Sequence, residues 1–154
     1  MHKNSFAILL FLLMAISNIF ADISNTTPEN YGKIILIDED ASLFINVSYT
    51  LTKKDGNVIT GFSDSDGWIN YPDEIKERFK LVLNLDSDLD WKVLRYDDLD
   101  AVYAFTDNLC DNYGYKIVFG RLDGYEQNVE IDLDGNEKYI LVIGSGSSTF
   151  TISE

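Results

Sequence analysis

Three aspartates stand at alternate positions in the stretch LNLDSDLDWKVL: Asp86, Asp88 and Asp90. Oxygen ligands at every second residue of a turn are the chemistry of a calcium loop. The EF-hand form of that loop needs glycine at its sixth position and a bidentate glutamate at its twelfth. Trp91 and Asp97 occupy those places, and no helical pattern flanks them. The EF-hand is therefore excluded. Two readings remain, an acidic turn at the rim of a sheet and a simpler calcium cage. Asp86, Asp88 and Asp90 are the best metal candidates in the chain, with calcium as the expected ion. Asp97, Asp98 and Asp100 belong to a separate loop one short strand further on.

Other chemistries are narrowed by what the chain lacks. Its only histidine is His2. The N-terminus has the layout of a secretory signal peptide: a short basic start, an apolar run over residues 6–16, then small and polar residues. Cleavage is expected after residue 21, with a cut after Ser17 as the alternative; the first removes His2 and leaves 133 residues. A mature chain without histidine has no Ser-His-Asp or Cys-His nucleophile pair and no histidine-bound zinc. Paired carboxylates for glycoside hydrolysis remain a remote alternative, since spacing alone nominates no pair among 26 acids. The single cysteine, Cys110 in TDNLCDNYG, rules out an internal disulfide and sits among loop-forming residues.

The charge points the same way. The net charge of −14 becomes about −15 when Lys3 leaves with the signal. Such a balance opposes binding to nucleic acid or to an anionic membrane surface. It suits solubility outside the cell and is compatible with divalent cations. Aromatic residues at strand ends, Trp68, Trp91 and Tyr96, are the candidates for stacking on a sugar or anchoring a protein. Two glycosylation sequons begin at Asn25 and Asn46, and Asn46 lies on the outward side of its strand.

These residues need a frame, and the pattern of the chain is that of short strands. SLFINVSYTLT alternates, with Leu43, Ile45, Val47, Tyr49 and Leu51 on one face and Phe44 as the exception. KKDGN is a hairpin turn, because Asp-Gly tolerates positive φ. NVITGFS returns, DSDG turns again and WINY follows, so three consecutive strands read as a meander. PDEIKERF reads as a helical turn or two, with proline at its first position. KLVLNLD, WKVLRY, AVYAFT and YKIVFG are further strand candidates. VEIDLDGNEKYILVI reads as a second hairpin, whose return strand is apolar on both faces and should be central. GSGSS reads as a turn, since a strand, TFTIS, follows it and no helix N-terminus is there to hold phosphate. SDSDG and DLDG carry Asp and Gly in their usual turn roles.

The stretch VSYTLTKKDGNVITGFSDSDGWINY resembles carboxypeptidase-regulatory-like and related transthyretin-like sandwich domains. The matching residues are Asp55, Gly56, Val58, Ile59, Gly61, Ser63, Asp64, Asp66, Gly67 and Trp68. The resemblance covers residues 45–85. It implies a β-sandwich used as a structural or binding module, and no catalytic residues.

The expectation is an all-β chain, an antiparallel β-sandwich of immunoglobulin-like or transthyretin-like form. It has about ten short strands and at most one short helix. The signal peptide spans residues 1–21, a polar leader 22–32 and a single sandwich domain 33–154. The expected role is a secreted, non-catalytic binding or adhesion module stabilised by calcium. Its expected partner is an extracellular protein or glycan, without membrane insertion after signal removal. The alternative is a carbohydrate-binding protein using exposed aromatics.

Overall fold

The computed structural model describes residues 31–38, 42–86, 89–94, 99–122 and 127–144. The expected signal peptide, Asn25, Asp88, Tyr96, and residues 145–153 of the GSGSS and TFTIS segments lie outside the described residues. The chain divides into two compact units, residues 1–31 and 32–154. All the elements below belong to the second.

Among the described residues, ten strands form two sheets, and one helix joins two of the strands. The strands are β1 (Ile34–Asp38), β2 (Leu43–Ile45), β3 (Ser48–Lys53), β4 (Val58–Phe62), β5 (Trp68–Ile69), β6 (Arg78–Asn84), β7 (Lys92–Leu94), β8 (Lys116–Arg121), β9 (Asn128–Asp134) and β10 (Tyr139–Gly144). The helix, α1 (Leu99–Tyr113), stands between β7 and β8. The first sheet runs β7-β2-β1-β10-β8, with β5 also paired to β1; the second runs β4-β3-β6-β9. The architecture is thus the expected all-β, sandwich-like one.

Its details differ from the sequence reading in five places. SLFINVSYTLT is two strands, one in each sheet. Asn46 breaks it with φ of +56°, a conformation asparagine adopts more readily than most residues. The break explains why Phe44 departs from the alternation of residues 47–51. The expected meander of three strands is also divided, because β5 leaves β4 and pairs with β1. The expected second hairpin is not one: β9 pairs with β6, whereas β10 runs parallel to β1 and β8. The first sheet is therefore mixed rather than antiparallel. The KKDGN turn closes as expected, with a three-residue loop, Gly56 at φ +90° and the Lys53 amide donating to the Asn57 carbonyl at 2.8 Å.

The fourth difference is the helix. AVYAFT reads as a strand in isolation, but Val102, Phe105, Thr106 and Leu109 are buried at helical spacing. Gly114, at φ +71°, ends the helix, and the Tyr115 amide donates to the Leu109 carbonyl at 3.1 Å. The fifth is PDEIKERF: its first residues form a turn, with the Ile75 amide donating to the Pro72 carbonyl, and Arg78 and Phe79 already belong to β6.

Two apolar layers follow from strand parity. Ile34, Leu36, Leu141 and Ile143 of the first sheet meet Tyr49, Leu51, Phe79, Leu81, Leu83, Val129 and Leu133 of the second in one core. Their neighbours Ile35, Ile37, Ile140 and Val142 are buried too but face the opposite side. β7 and β8 are parallel edge strands of one sheet, so α1 is a crossover connection that must lie on a face of that sheet. Its buried stripe covers the second apolar side. Burial on both faces is why β1 and β10 read as unbroken apolar runs. Gly120 of β8 allows the two sheets to approach at one side: a Cβ there would come within 2.6 Å of a Val129 methyl.

Candidate functional site

The rim of the sandwich is organised by the passage from β2 to β3. Ser63 is buried there, and its Oγ accepts from the Val47 amide (2.8 Å) while donating to the Phe44 carbonyl (3.1 Å). Its backbone exchanges further bonds with Asn46 and Val47. One serine thus ties down the residues where the chain changes sheet. Asp64 follows, and one carboxylate oxygen accepts from the amides of Asp66 and Trp68, both at 2.9 Å. Gly67 completes the turn at φ +82°. The Asp-x-Asp-Gly stretch is built as a turn, as its composition predicts.

The loop carrying the metal candidates lies beside this turn. Trp91 Nε1 donates to the Asp86 carbonyl at 2.8 Å, and the Leu89 amide donates to the same carbonyl. Asn46 Nδ2 donates to the Asp90 carbonyl at 3.3 Å. An open cleft of about 470 Å³ is lined by Ile45, Asn46, Ser63, Asp64, Ser65, Asp90 and Lys92. The fold therefore joins Asp90 to Asp64, a pairing absent from the sequence reading. Lys92 also faces this cleft and opposes a cation there. Among the described residues, no three His, Cys, Asp or Glu side chains stand together as a metal cage. Asp88, the middle member of the candidate trio, lies outside the described residues.

Of the aromatic candidates, Trp68 is corrected. Trp68 is only 4% exposed and packs against Tyr115, with ring centroids 5.8 Å apart. Its position opposite Ile35 turns it to the helix side of the first sheet. It is a core residue, and no ligand can stack on it. Trp91 is half-buried against Phe44, at 5.9 Å, with its N–H engaged by Asp86. Tyr96 is outside the described residues. Asn46 is exposed, as a glycan acceptor must be.

A different surface holds the exposed apolar groups. The outer face of the second sheet has three rows by register: Val58, Thr52, Lys80 and Asp132; Thr60, Thr50, Val82 and Glu130; Phe62, Ser48, Asn84 and Asn128. Phe62 is 65% exposed and Val58 56%. Sequence reasoning passed over Phe62, although its parity with Val58 and Thr60 in an alternating strand was a usable signal. Lys80 pairs with Glu130 at 2.8 Å, which raises the Lys80 pKa. At one end, a second cleft of about 480 Å³ gathers Lys53, Lys54, Arg78 and Lys80 with Asp132. This is a cationic spot on an acidic chain.

Other titratable groups are tuned for structure. A backbone hydrogen bond from Asn57 holds the Asp55 carboxyl below its usual range, and Asn136 does the same for Asp134. Cys110 lies on α1 rather than in a loop. Burial, with Asp107 and Asp111 nearby, pushes its thiol up and away from the reactive thiolate. Among the described residues no helix is long and apolar enough to cross a membrane. No family model, curated protein or solved structure matches this chain.

Proposed function

We propose that this chain is a secreted, non-catalytic binding or adhesion module. Its working surface is the outer face of the four-stranded sheet, and calcium at Asp86, Asp88 and Asp90 steadies the rim. The observation that carries this reading is the exposure of Phe62 and Val58 on a sheet face where, Val82 apart, the side chains are hydroxyl, amide or charged. Isolated exposed apolar residues are ordinary. Two on one five-residue edge strand, with half-buried Val82 on the same face, form a patch of the kind that partners cover. A non-catalytic role fits a chain whose only histidine lies in its signal-like N-terminus. A protein partner is favoured over a glycan, because Trp68 is in the core and Trp91 is held against Phe44.

The test is a binding panel. The full chain is immobilised and offered extracellular proteins and polysaccharides, in calcium or with a chelator. We expect retention of a protein in calcium, lost in a Val58→Ser/Phe62→Ser variant of unchanged melting temperature. Asp88→Ala should make melting indifferent to calcium. A flat response across the panel, or full retention by the double variant, would reject the surface. A wild-type melting temperature unmoved by calcium would reject the ion.

A further inference from the structure

The strand that carries Val58 and Phe62 is also an edge strand. It ends the order β4-β3-β6-β9, so one side of β4 has no neighbour among the described strands. The bonds Lys53 N–H to Asn57 O and Ser63 N–H to Val47 O set the pairing parity with β3. Residues 57, 59, 61 and 63 face β3, and the N–H and C=O groups of Val58, Thr60 and Phe62 point the other way. Natural edge strands carry guards such as charge, proline or a cover. The sequence of β4, VITGF, has no charge and no proline. At the opposite edge, β9 alternates Asn128, Glu130, Asp132 and Asp134 along its outer face and has β8 close by.

We infer that β4 is a homodimer edge: two copies of this chain pair antiparallel along β4, about a two-fold axis through Thr60, into one continuous eight-stranded sheet. The parity fits, because the outward-pointing residues are 58, 60 and 62. Thr60 faces its own copy, and Val58 faces the partner's Phe62 on both sides of the axis. Each facing pair exchanges two hydrogen bonds, about six in all. The two-fold axis stands perpendicular to the sheet, so both outer faces lie on the same side. Each exposed Val58 then covers part of an exposed Phe62, a cross-strand contact of favourable type.

Charge selects a second copy as the occupant. One end of β4 leads back into Lys53 and Lys54, with Asp55 beside Lys53 at 3.6 Å. Lys54 makes no ion pair among the described residues. The other end runs into Asp64 and Asp66, both exposed. The same register carries the partner's Asp66 to the level of Lys54, twice per dimer. A self-complementary patch of this kind is what a two-fold interface requires. The general repulsion between two chains of charge −14 is screened beyond about 8 Å at physiological ionic strength, whereas the strand ends are in contact. This inference goes beyond the partner-binding reading, since it uses the edge of the sheet and is read by mass rather than by a binding panel.

Sedimentation velocity of the full chain over a concentration series tests it. The expected result is a monomer–dimer equilibrium closing at two copies. Thr60→Pro removes the axial N–H, which does not bond β3, and edge strands accept proline there. It should leave only monomer. Should that variant fail to fold, Phe62→Lys changes a side chain that is 65% exposed and should also give monomer. Lys54→Glu and Asp66→Lys should each weaken the dimer roughly ten-fold, and together restore it. A wild-type chain that stays monomeric throughout the series overturns the inference. So does a dimer that survives Phe62→Lys, or a charge-swapped pair no tighter than its singles.

Discussion

The two sheets use the same backbone pattern for different ends. In the first, β1 and β10 are buried on both sides and run parallel, clamped between the second sheet and the crossover helix. In the second, every strand alternates, and one face is left to solvent. β1 and β10 can be altered only at the expense of stability, because their side chains are buried among close-packed neighbours. The second sheet can vary its outer rows at little cost. The proposed binding surface and the bare edge both belong to this second sheet, where the outer side chains are not constrained by packing.

Single truncations should separate the sheets most sharply. Leu141 sits at the middle of β10, fully buried in the inter-sheet core. Leu141→Ala should cost about 3 kcal/mol in urea unfolding, from lost transfer energy and a residual cavity. Val82→Ala on the outer face of β6 should cost less than about 1 kcal/mol. Equal losses at the two positions would erase the contrast.

An alkaline limit belongs to the core side. Tyr71 packs edge-on against Phe79, centroids 5.0 Å apart, and donates to the Glu137 carbonyl at 3.1 Å. Burial, aided by nearby Tyr139, Asp134 and Asp73, raises its pKa to about 12 from a usual value of 10.0. The unfolded chain releases this proton first, so the stabilisation is complete below pH 10 and is lost as the pH rises toward 12. Tyr49, raised by burial, acts in the same direction. Melting temperature should therefore fall between pH 9 and 11 by more than in Tyr71→Phe. Parallel falls in the two proteins would show that Tyr71 is not responsible.

The smallest effect is expected on the wet face. Lys80 and Glu130 form an exposed pair on adjacent strands. A double-mutant cycle with alanine at both should give a coupling below about 0.5 kcal/mol, further reduced by salt. A coupling of several kcal/mol would mean that this face is shielded from water.

The candidate surfaces were only partly legible in the sequence. Acidic turns such as 64–67 and 134–136 were readable, because their capping bonds span two to four residues. Which tryptophan lies inside was not. Trp68 and Phe62 both flank the same turn in an alternating pattern, yet β5 pairs with β1 and buries Trp68 while β4 stays at an edge and exposes Phe62. The helix was missed for a related reason. Its aromatic and β-branched residues favour strands locally, and the stripe of Val102, Phe105, Thr106 and Leu109 outweighs that preference only when there is a sheet face to cover.

By itself, the sequence determined the strand-rich class, the positions of nearly all the strands and the Asp-Gly turns between them. Those depend on period-two patterning and on residues that tolerate positive φ, both properties of a few neighbouring residues. The tertiary structure alone decided the assignment of strands to sheets, including the split at Asn46 and the parting of β9 from β10. It also decided which apolar side chains remain outside. Alternation says that a strand has two faces, but the partner strand and the opposing sheet choose which of them meets water.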